Sequence, residues 1–175
     1  MKAYLANQQP LNLAECLGEG GEGRVFALAE AEQQHAVKIY HQLPSPDKQA
    51  KLKAMVADNL VMLGKVALWP TDLVYNEHQQ IIGFVMPRLP VGSVAVHHLY
   101  NPSQRKQDFP QADYAFLVHA ARNLAAAFAY LHSCGHCIGD VNQGNLVVAP
   151  DATITLIDCD SFQINHQGQL FACEV

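Results

Sequence analysis

Three polar residues in the second half of the chain have types and a spacing suited to metal chemistry. Asp140 and Asn145 lie five residues apart in a polar loop, and Asp158 follows an apolar run. Two β-forming runs, 146–148 and 153–157, are joined by a Pro-Asp turn, a pattern that predicts a β-hairpin. Such a hairpin can bring Asn145 and Asp158 close together, and oxygen donors of this kind suit Mg²⁺.

A second polar segment, near the amino end, is rich in glycine. The spacing G-x-G-x-x-G is met by Gly18, Gly20 and Gly23, and Val25 comes two residues later. Such a turn lets backbone N–H groups approach phosphate oxygens closely. A dinucleotide-binding turn has the same glycines, but it must follow a strand and open a helix.

The residues after these glycines predict strands instead. Runs 25–28 and 36–40 are joined by a polar turn over 30–34, so the glycines are predicted to lie in a β-hairpin. Lys38 lies within the second strand. By itself it is equally consistent with phosphate contact and with an exposed lysine on an edge strand. Its position beside the glycine hairpin favours phosphate contact.

Other segments predict the elements that hold these residues. Between Pro44 and Gly64 one helical face is formed by Leu52, Met55, Val56, Leu60 and Leu63. Runs 73–75 and 81–86 predict another hairpin, and runs 162–164 and 169–171 predict one more.

A long helix is predicted from about Pro110 to Cys134, with Gly135 as its carboxyl-terminal cap. Its apolar face has helical spacing and consists of Tyr114, Leu117, Val118, Ala121, Leu124, Ala125, Phe128 and Leu131.

Composition excludes several classes of protein. The 175 residues are 50% hydrophobic and 15% charged, which favours a packed globule. A net charge of −5 without a basic cluster argues against nucleic acid as a partner. The sequence shows no signal peptide and no membrane segment, and its five unevenly spread cysteines favour reduced thiols, so we expect a cytoplasmic location. The run 134–137, Cys-Gly-His-Cys, lacks the second cluster that structural zinc needs.

The loop 140–145 and Asp158 resemble the catalytic loop and the metal-binding segment of protein kinases, H-R-D-x-x-x-x-N and D-F-G. The glycine hairpin, the strand lysine, a connector at 87–89 and the long helix occur in the kinase order. The resemblance spans essentially the whole chain. Segments 141–145 and 156–163 are similar to a divergent bacterial group of Ser/Thr-kinase-like proteins of the YegI type.

The resemblance implies an α+β, protein kinase-like two-lobe fold. Residues 1–89 would form an ATP-binding lobe, a small antiparallel sheet with one helix. Residues 90–175 would form a partial, mainly helical lobe with the catalytic loop and metal-binding segment. A kinase continues beyond this point, so we expect a missing carboxyl-terminal region in the full-length protein.

The resemblance also implies ligands and roles. ATP would be bound by Gly18, Gly20, Gly23, Val25, Lys38, Met86 and Leu89. Here Lys38 would hold the α- and β-phosphates, Met86 would limit the adenine pocket, and Leu89 belongs to the hinge. Asn145 and Asp158 would hold Mg²⁺, and Asp140 would take the proton of a Ser/Thr hydroxyl on a protein substrate.

Four positions depart from the kinase pattern. Gly139 replaces the Arg that in many kinases reads a phosphorylated activation loop, so we expect no such dependence. Asn142 replaces a Lys that helps neutralise the transferred phosphoryl group, which would affect the rate. Asp160 replaces the glycine of D-F-G and is either a second metal ligand or a solvated turn residue. The first helix lacks the Glu that pairs with the strand lysine, and Asp58 is a substitute.

Two hypotheses follow. One is a Mg·ATP-dependent protein serine/threonine kinase, and the other is an ATP-binding pseudokinase that acts as a regulatory interaction module. Retention of Asp140, Asn145 and Asp158 together favours the enzyme.

Overall fold

A computed structural model of the chain describes residues 2–29, 34–58 and 63–173. The chain forms two compact units, residues 1–60 with 69–88 and residues 61–68 with 89–175. The predicted lobe boundary follows residue 89. The observed division falls after Arg88, and the second unit also takes the segment 61–68.

The first unit is built on a five-stranded antiparallel sheet. Its strands are β1 (Leu13–Glu19), β2 (Gly23–Leu28), β3 (His35–Tyr40), β4 (Asp72–Tyr75) and β5 (Ile81–Pro87). The order β1-β2-β3-β5-β4 makes β3 the central strand. Both hairpins predicted for this part of the sequence are confirmed, although residues 30–33 of the first turn lie outside the described residues.

The two faces of this sheet have different chemistry because successive residues of a strand point to opposite sides. Val37 and Ile39 of β3 pack into a hydrophobic core with Leu28, Val74 and Val85. Lys38 lies between them in the sequence and therefore projects from the other face.

Helix α1 (Pro46–Asp58) begins where Ser45 accepts a hydrogen bond from the Lys48 N–H at 3.2 Å, with Pro46 as its first residue. The predicted apolar positions Leu52 and Met55 are fully buried. The predicted helix continues to Gly64, but residues 59–62, with Leu60, lie outside the described residues. Beyond them a short helix, α2 (Leu63–Val66), belongs to the second unit.

The buried face of α1 is not purely apolar. Lys48 and Lys51 are buried together with Leu52 and Met55, at the spacing i, i+3, i+4 and i+7 of a single helical face. Two lysines thus occupy positions that usually carry apolar residues.

The second unit combines helices with two small sheets. After α2 its helices are α3 (His97–Tyr100), α4 (Pro102–Asp108) and α5 (Tyr114–Ser133). Its strands are β6 (Val94–Ala95), β7 (Leu146–Val148), β8 (Ile154–Leu156), β9 (Ile164–His166) and β10 (Gln169–Phe171). The predicted hairpins β7–β8 and β9–β10 are confirmed, and β6 adds a third strand beside β7. Among the helices of the described residues, none combines the length and apolarity needed to cross a bilayer.

Helix α5 has clear signals at both ends. Asp113 accepts a hydrogen bond from the Phe116 N–H at 2.8 Å, so the helix begins after Asp113 rather than near Pro110. Gly135 has a φ of +81° and follows the last turn, as predicted. Its N–H donates to the His132 carbonyl at 2.9 Å, and the next N–H donates to Leu131 at 3.2 Å, which completes a Schellman cap.

The predicted apolar face of α5 is only partly correct. Leu131 is fully buried, but Tyr114 is 81% exposed and Val118 is 50% exposed. Small residues, Ala120 and Ala127, are buried instead. Helical spacing identified the element, but it did not identify which apolar residues are covered.

The turn between β7 and β8 is held by the Asp151 side chain, which accepts a hydrogen bond from the Thr153 N–H at 2.9 Å. This backbone hydrogen bond from Thr153 is the main reason why the pKa of Asp151 is lowered from its ordinary value. Asn123 of α5 donates to the Ala152 carbonyl at 2.8 Å, which ties the turn to the helix.

We expect Asp151→Asn to destabilise the protein at neutral pH, because the amide keeps an oxygen acceptor but loses the charge. A lowered folded-state pKa means that the ionised carboxylate stabilises the fold above the pKa of the unfolded chain. That stabilisation is lost as the pH falls through the folded-state pKa. The midpoint difference in thermal unfolding should therefore shrink below pH about 4. Asp72→Asn, at an exposed position of β4, is the control; an equal pH dependence in both variants would contradict this role.

Candidate functional site

The glycine-rich turn joins β1 to β2 and is closed by a hydrogen bond from the Gly20 N–H to the Gly23 carbonyl at 2.9 Å. A Cβ added at Gly18 or Gly20 would meet no heavy atom within 4 Å. A Cβ at Gly23 would lie 2.3 Å from the Ile39 carbonyl oxygen. The first two glycines thus border open space, whereas the third allows close approach to β3.

Strand β5 approaches β3 through another glycine, on the opposite side of β3. A Cβ added at Gly83 would lie 1.9 Å from the Lys38 carbonyl oxygen. The strand that carries Lys38 is therefore flanked by glycines on both of its neighbours, Gly23 and Gly83.

Three predicted site residues share one face of the sheet. Val25 lies opposite Lys38, Lys38 lies opposite Phe84, and Ala36 lies opposite Met86. Residues directly opposite each other in antiparallel strands project to the same side. Val25, Lys38 and Met86 therefore lie on the face away from the hydrophobic core.

The remaining ATP-site candidate, Leu89, immediately follows the first unit in sequence. It belongs to the second unit, where it is half-buried.

Lys38 is only 8% exposed and lies on the central strand, so its interpretation as an exposed lysine on an edge strand is wrong. Its Nζ lies 3.2 Å from Oε2 of Glu22, a residue of the glycine-rich turn. The same Nζ lies 5.4 Å from the ring centroid of Tyr40 and 6.0 Å from that of Phe84.

One acid that pairs with Lys38 therefore comes from the turn, and the substitute that the sequence suggests, Asp58, stays a prediction. Helix α1 contributes a lysine to this cluster. Lys48 Nζ lies 3.0 Å from Oε1 and 3.1 Å from Oε2 of Glu22. Neither Glu22 nor Lys48 is among the residues predicted from the sequence. The available signals were a carboxylate between two motif glycines and a lysine four residues before the buried Leu52.

The catalytic-type loop of the second unit is organised around Asp140. Its Oδ2 accepts hydrogen bonds from Nδ2 of Asn142 at 2.6 Å and from Nδ2 of Asn145 at 3.3 Å. The Asn145 amide also donates to the Asp140 carbonyl at 3.1 Å. Two side-chain amides therefore fix one oxygen of the carboxylate.

Asn142 also shapes the loop. Its Oδ1 accepts hydrogen bonds from the N–H of Gly144 at 2.7 Å and from the N–H of Asn145 at 3.1 Å, an Asx-turn arrangement. From the sequence, Asn142 is only the residue that replaces a lysine of the kinase pattern. The structure gives it a positioning role that its position before Gly144 could have suggested.

The register of the β7–β8 hairpin places Asn145 and Asp158 at the same end. The Ile157 N–H donates to the Asn145 carbonyl at 3.0 Å, and Asp158 follows directly. Asp158 is exposed, and its backbone lies in the left-handed region, with φ +59°. Its carbonyl accepts a hydrogen bond from Ser161 Oγ at 2.7 Å, which fixes the short 3₁₀ helix Cys159–Ser161.

Asp160 lies inside that 3₁₀ helix and is 1% exposed, so its interpretation as a solvated turn residue is wrong. Its alternative role as a second metal ligand stays a prediction.

The donor chemistry fits a hard cation. Asn145 directs its Nδ2 toward Asp140, so its Oδ1 faces away from that bond, and Asp158 is an exposed residue with a carboxylate side chain. Oxygen donors in small number are what Mg²⁺ prefers. A zinc site fits less well, because no cysteine of the described residues belongs to a group of three or more metal-capable side chains.

No protein-family model matches the chain. Among solved structures it is similar to the ROP18 kinase domain in complex with AMP-PNP and sucrose, with a TM-score of 0.59 and 14% identity over 98% of this chain and 62% of that one. The fold is that of a protein kinase domain.

Sequence similarity is more specific. The chain is 39% identical over its full length to the protein kinase YegI of Escherichia coli strain K12, and 40% identical over 98% of its length to that of strain O157:H7. The predicted resemblance to kinase-like proteins of the YegI type is confirmed. A 64-residue segment is 41% identical to a mouse PAS domain-containing serine/threonine-protein kinase, of which it covers 4%. The chain spans about a quarter of the length of the YegI proteins.

We expect Gly139→Ala to destabilise the second unit, because a Cβ there would lie 2.3 Å from the Cβ of Cys173 and 3.3 Å from the Ser161 carbonyl oxygen. Overpacking of this kind costs about 1–3 kcal/mol. Urea unfolding measures the loss. The double variant Gly139→Ala/Cys173→Gly should recover most of it, and an additive loss would contradict the proposed clash.

We expect Asn142→Ala to loosen the catalytic-type loop, because the Gly144 N–H loses its acceptor, whereas the Asn145 N–H keeps the Asn142 backbone carbonyl at 3.1 Å. Hydrogen exchange at the Gly144 amide should accelerate more than at the Asn145 amide, with a stability loss of about 1 kcal/mol. Asn142→Ser is the matched control, since a serine hydroxyl can accept the same backbone hydrogen bond without adding charge beside Asp140. Unchanged exchange in the alanine variant would argue against the Asx turn.

Proposed function

We propose that this chain carries the ATP-binding and catalytic-loop part of a Mg·ATP-dependent phosphotransferase that acts on Ser/Thr hydroxyls of protein substrates. The observation that carries the proposal is the loop 140–145, in which Asn142 and Asn145 hold the carboxylate of Asp140 through one oxygen. A scaffold without chemistry has no need to orient a single carboxylate in this way.

Asp140 is proposed as the general base. Its Oδ2 accepts both amide hydrogen bonds, which leaves Oδ1 to accept the proton of the acceptor hydroxyl. A carboxylate held in a fixed orientation is already aligned with the acceptor hydroxyl once the substrate is bound, so positioning supplies much of the rate.

The phosphate groups are proposed to lie at the first unit. Gly18 and Gly20 border open space, so the turn allows close approach of a phosphate to the backbone. Lys38 supplies positive charge on the same sheet face as Val25 and Met86, which would contact the apolar base. The structure of the ROP18 kinase domain with AMP-PNP supports a nucleotide of this class.

Asn145 and Asp158 would hold Mg²⁺, which would neutralise charge on the transferred phosphoryl group. The relatives named as protein kinases support the transfer reaction. A cytoplasmic location remains a prediction from the sequence.

An ATP-binding pseudokinase is the second candidate. Asn142 holds Asp140 and forms the Asx turn, but its side chain is neutral. It therefore does not replace the positive charge of the lysine in the kinase pattern. Such a protein would bind Mg·ATP and regulate a partner without transfer.

Two measurements distinguish the kinase from the pseudokinase, and both from a protein that does not bind ATP. Thermal unfolding with Mg·ATP tests binding, because a ligand at about 100 times its dissociation constant adds about 2.7 kcal/mol to the free energy of unfolding. We expect a Mg²⁺-dependent rise in midpoint that Asp158→Asn loses. Asp151→Asn, which removes the same charge from the other end of the hairpin, should keep the rise. Absence of any rise with the wild type would overturn the nucleotide site.

Transfer of labelled γ-phosphate to a generic Ser/Thr substrate then tests catalysis. Asp140→Asn should bind Mg·ATP normally but transfer about 10²- to 10⁴-fold more slowly. Binding without any transfer by the wild type would favour the pseudokinase.

A further inference from the structure

Two lysines from different elements meet at one carboxylate in the first unit. Lys38 comes from β3, Lys48 from the first turn of α1, and Glu22 from the glycine-rich turn. Both Glu22 oxygens are engaged, since Lys48 Nζ contacts Oε1 at 3.0 Å and Oε2 at 3.1 Å while Lys38 Nζ contacts Oε2 at 3.2 Å. The arrangement is a compact binding position for one anionic group.

The three side chains differ in how firmly they are held. Lys38 is 8% exposed and Lys48 is 7% exposed, whereas the Glu22 side chain is 50% exposed. Both ammonium groups also lie on the ring of Tyr40, at 5.4 Å and 5.0 Å from its centroid. Buried charges need a compensating partner. The lysines are therefore fixed by the fold, and the anion is the member that can move.

The surroundings of Glu22 allow that movement. It lies between Gly21 and Gly23, and a Cβ at Gly20 or Gly21 would meet no heavy atom within 4 Å. The backbone of Glu22 is held to the end of β3, since its carbonyl accepts a hydrogen bond from the His41 N–H at 2.8 Å. The half-exposed side chain can therefore turn into the open space on this side while the turn and the sheet stay in place.

We propose that Lys48 joins Lys38 as a phosphate-binding residue, and that Glu22 fills their shared anion site until a nucleotide phosphate replaces it. This inference rests on the proposed ATP site and adds a ligand from α1, the helix in which the kinase pattern has a Glu. A phosphate oxygen carries charge comparable with a carboxylate oxygen and accepts the same ammonium hydrogen bonds.

If Glu22 and a nucleotide phosphate occupy the same site, they must compete for the two lysines. The apparent affinity for the nucleotide is reduced by the fraction of molecules in which Glu22 occupies the site. A fixed partner that orients Lys38 would have the opposite effect, since its loss would weaken nucleotide binding. The sign of the change in variants of Glu22 therefore decides between the two roles.

The test compares binding of ATP and of adenosine to the protein by calorimetry. Lys48→Met should weaken ATP binding about 10- to 100-fold, the value of a charged hydrogen bond, and leave adenosine binding unchanged. Lys53→Met, at an exposed position of the same helix, is the matched control and should change neither. Lys48→Arg keeps the charge and should retain most of the ATP affinity.

Glu22→Gln should tighten ATP binding several-fold without affecting adenosine. If it weakens ATP binding instead, Glu22 is a fixed partner and the exchange is wrong. If ATP and adenosine bind but Lys48→Met and Glu22→Gln leave ATP affinity unchanged, this inference fails while the proposed function stands. If the wild type binds neither ligand, the proposed function itself fails.

Discussion

Burial of charge is the constraint on which the first unit depends. Two lysine ammonium groups lie at a sheet face where little water reaches them, and each contacts the carboxylate of Glu22. An ammonium group in such a place is costly without an anion beside it. The same carboxylate therefore links three elements: the glycine-rich turn, the central strand and the first helix.

In the second unit, neutral amide groups hold a carboxylate in place. Asp140 is oriented by the amides of Asn142 and Asn145, and Asn142 in turn is fixed by the backbone N–H groups that follow it. Amides fix direction without cancelling the charge of the carboxylate. The loop can thus keep the Asp140 carboxylate oriented although Asn142 stands where the kinase pattern has a lysine.

The elements were predictable because their signals are local. Short β-forming runs bounded by turn residues predicted β2, β3, β7 and β8, and Gly135 predicted the end of α5, since such a run and a helix cap are properties of a few consecutive residues.

Glu22 and Lys48, which pair in the structure, are 26 positions apart in the chain. A contact at this separation produces no periodic pattern in the sequence. From the sequence alone, a lysine on a helix is expected to be exposed to solvent. Only the fold shows that its face of the helix is covered. The opposite error concerns Tyr114 and Val118, which were predicted on the apolar face of α5 but are exposed. Apolar character alone does not identify the side of a helix that packs against other residues.

The glycines of the turn and sheet serve two unrelated needs. Gly18 and Gly20 could change to a small side chain without a steric conflict, whereas Gly23 and Gly83 stand against the carbonyl groups of β3 on either side of it. Of these glycines the sheet depends only on Gly23 and Gly83, so sequence drift at Gly18 and Gly20 would hinder the proposed approach of a phosphate but leave the strand spacing intact. A divergent descendant could lose its recognisable signature long before it loses the backbone geometry that the signature is used to detect.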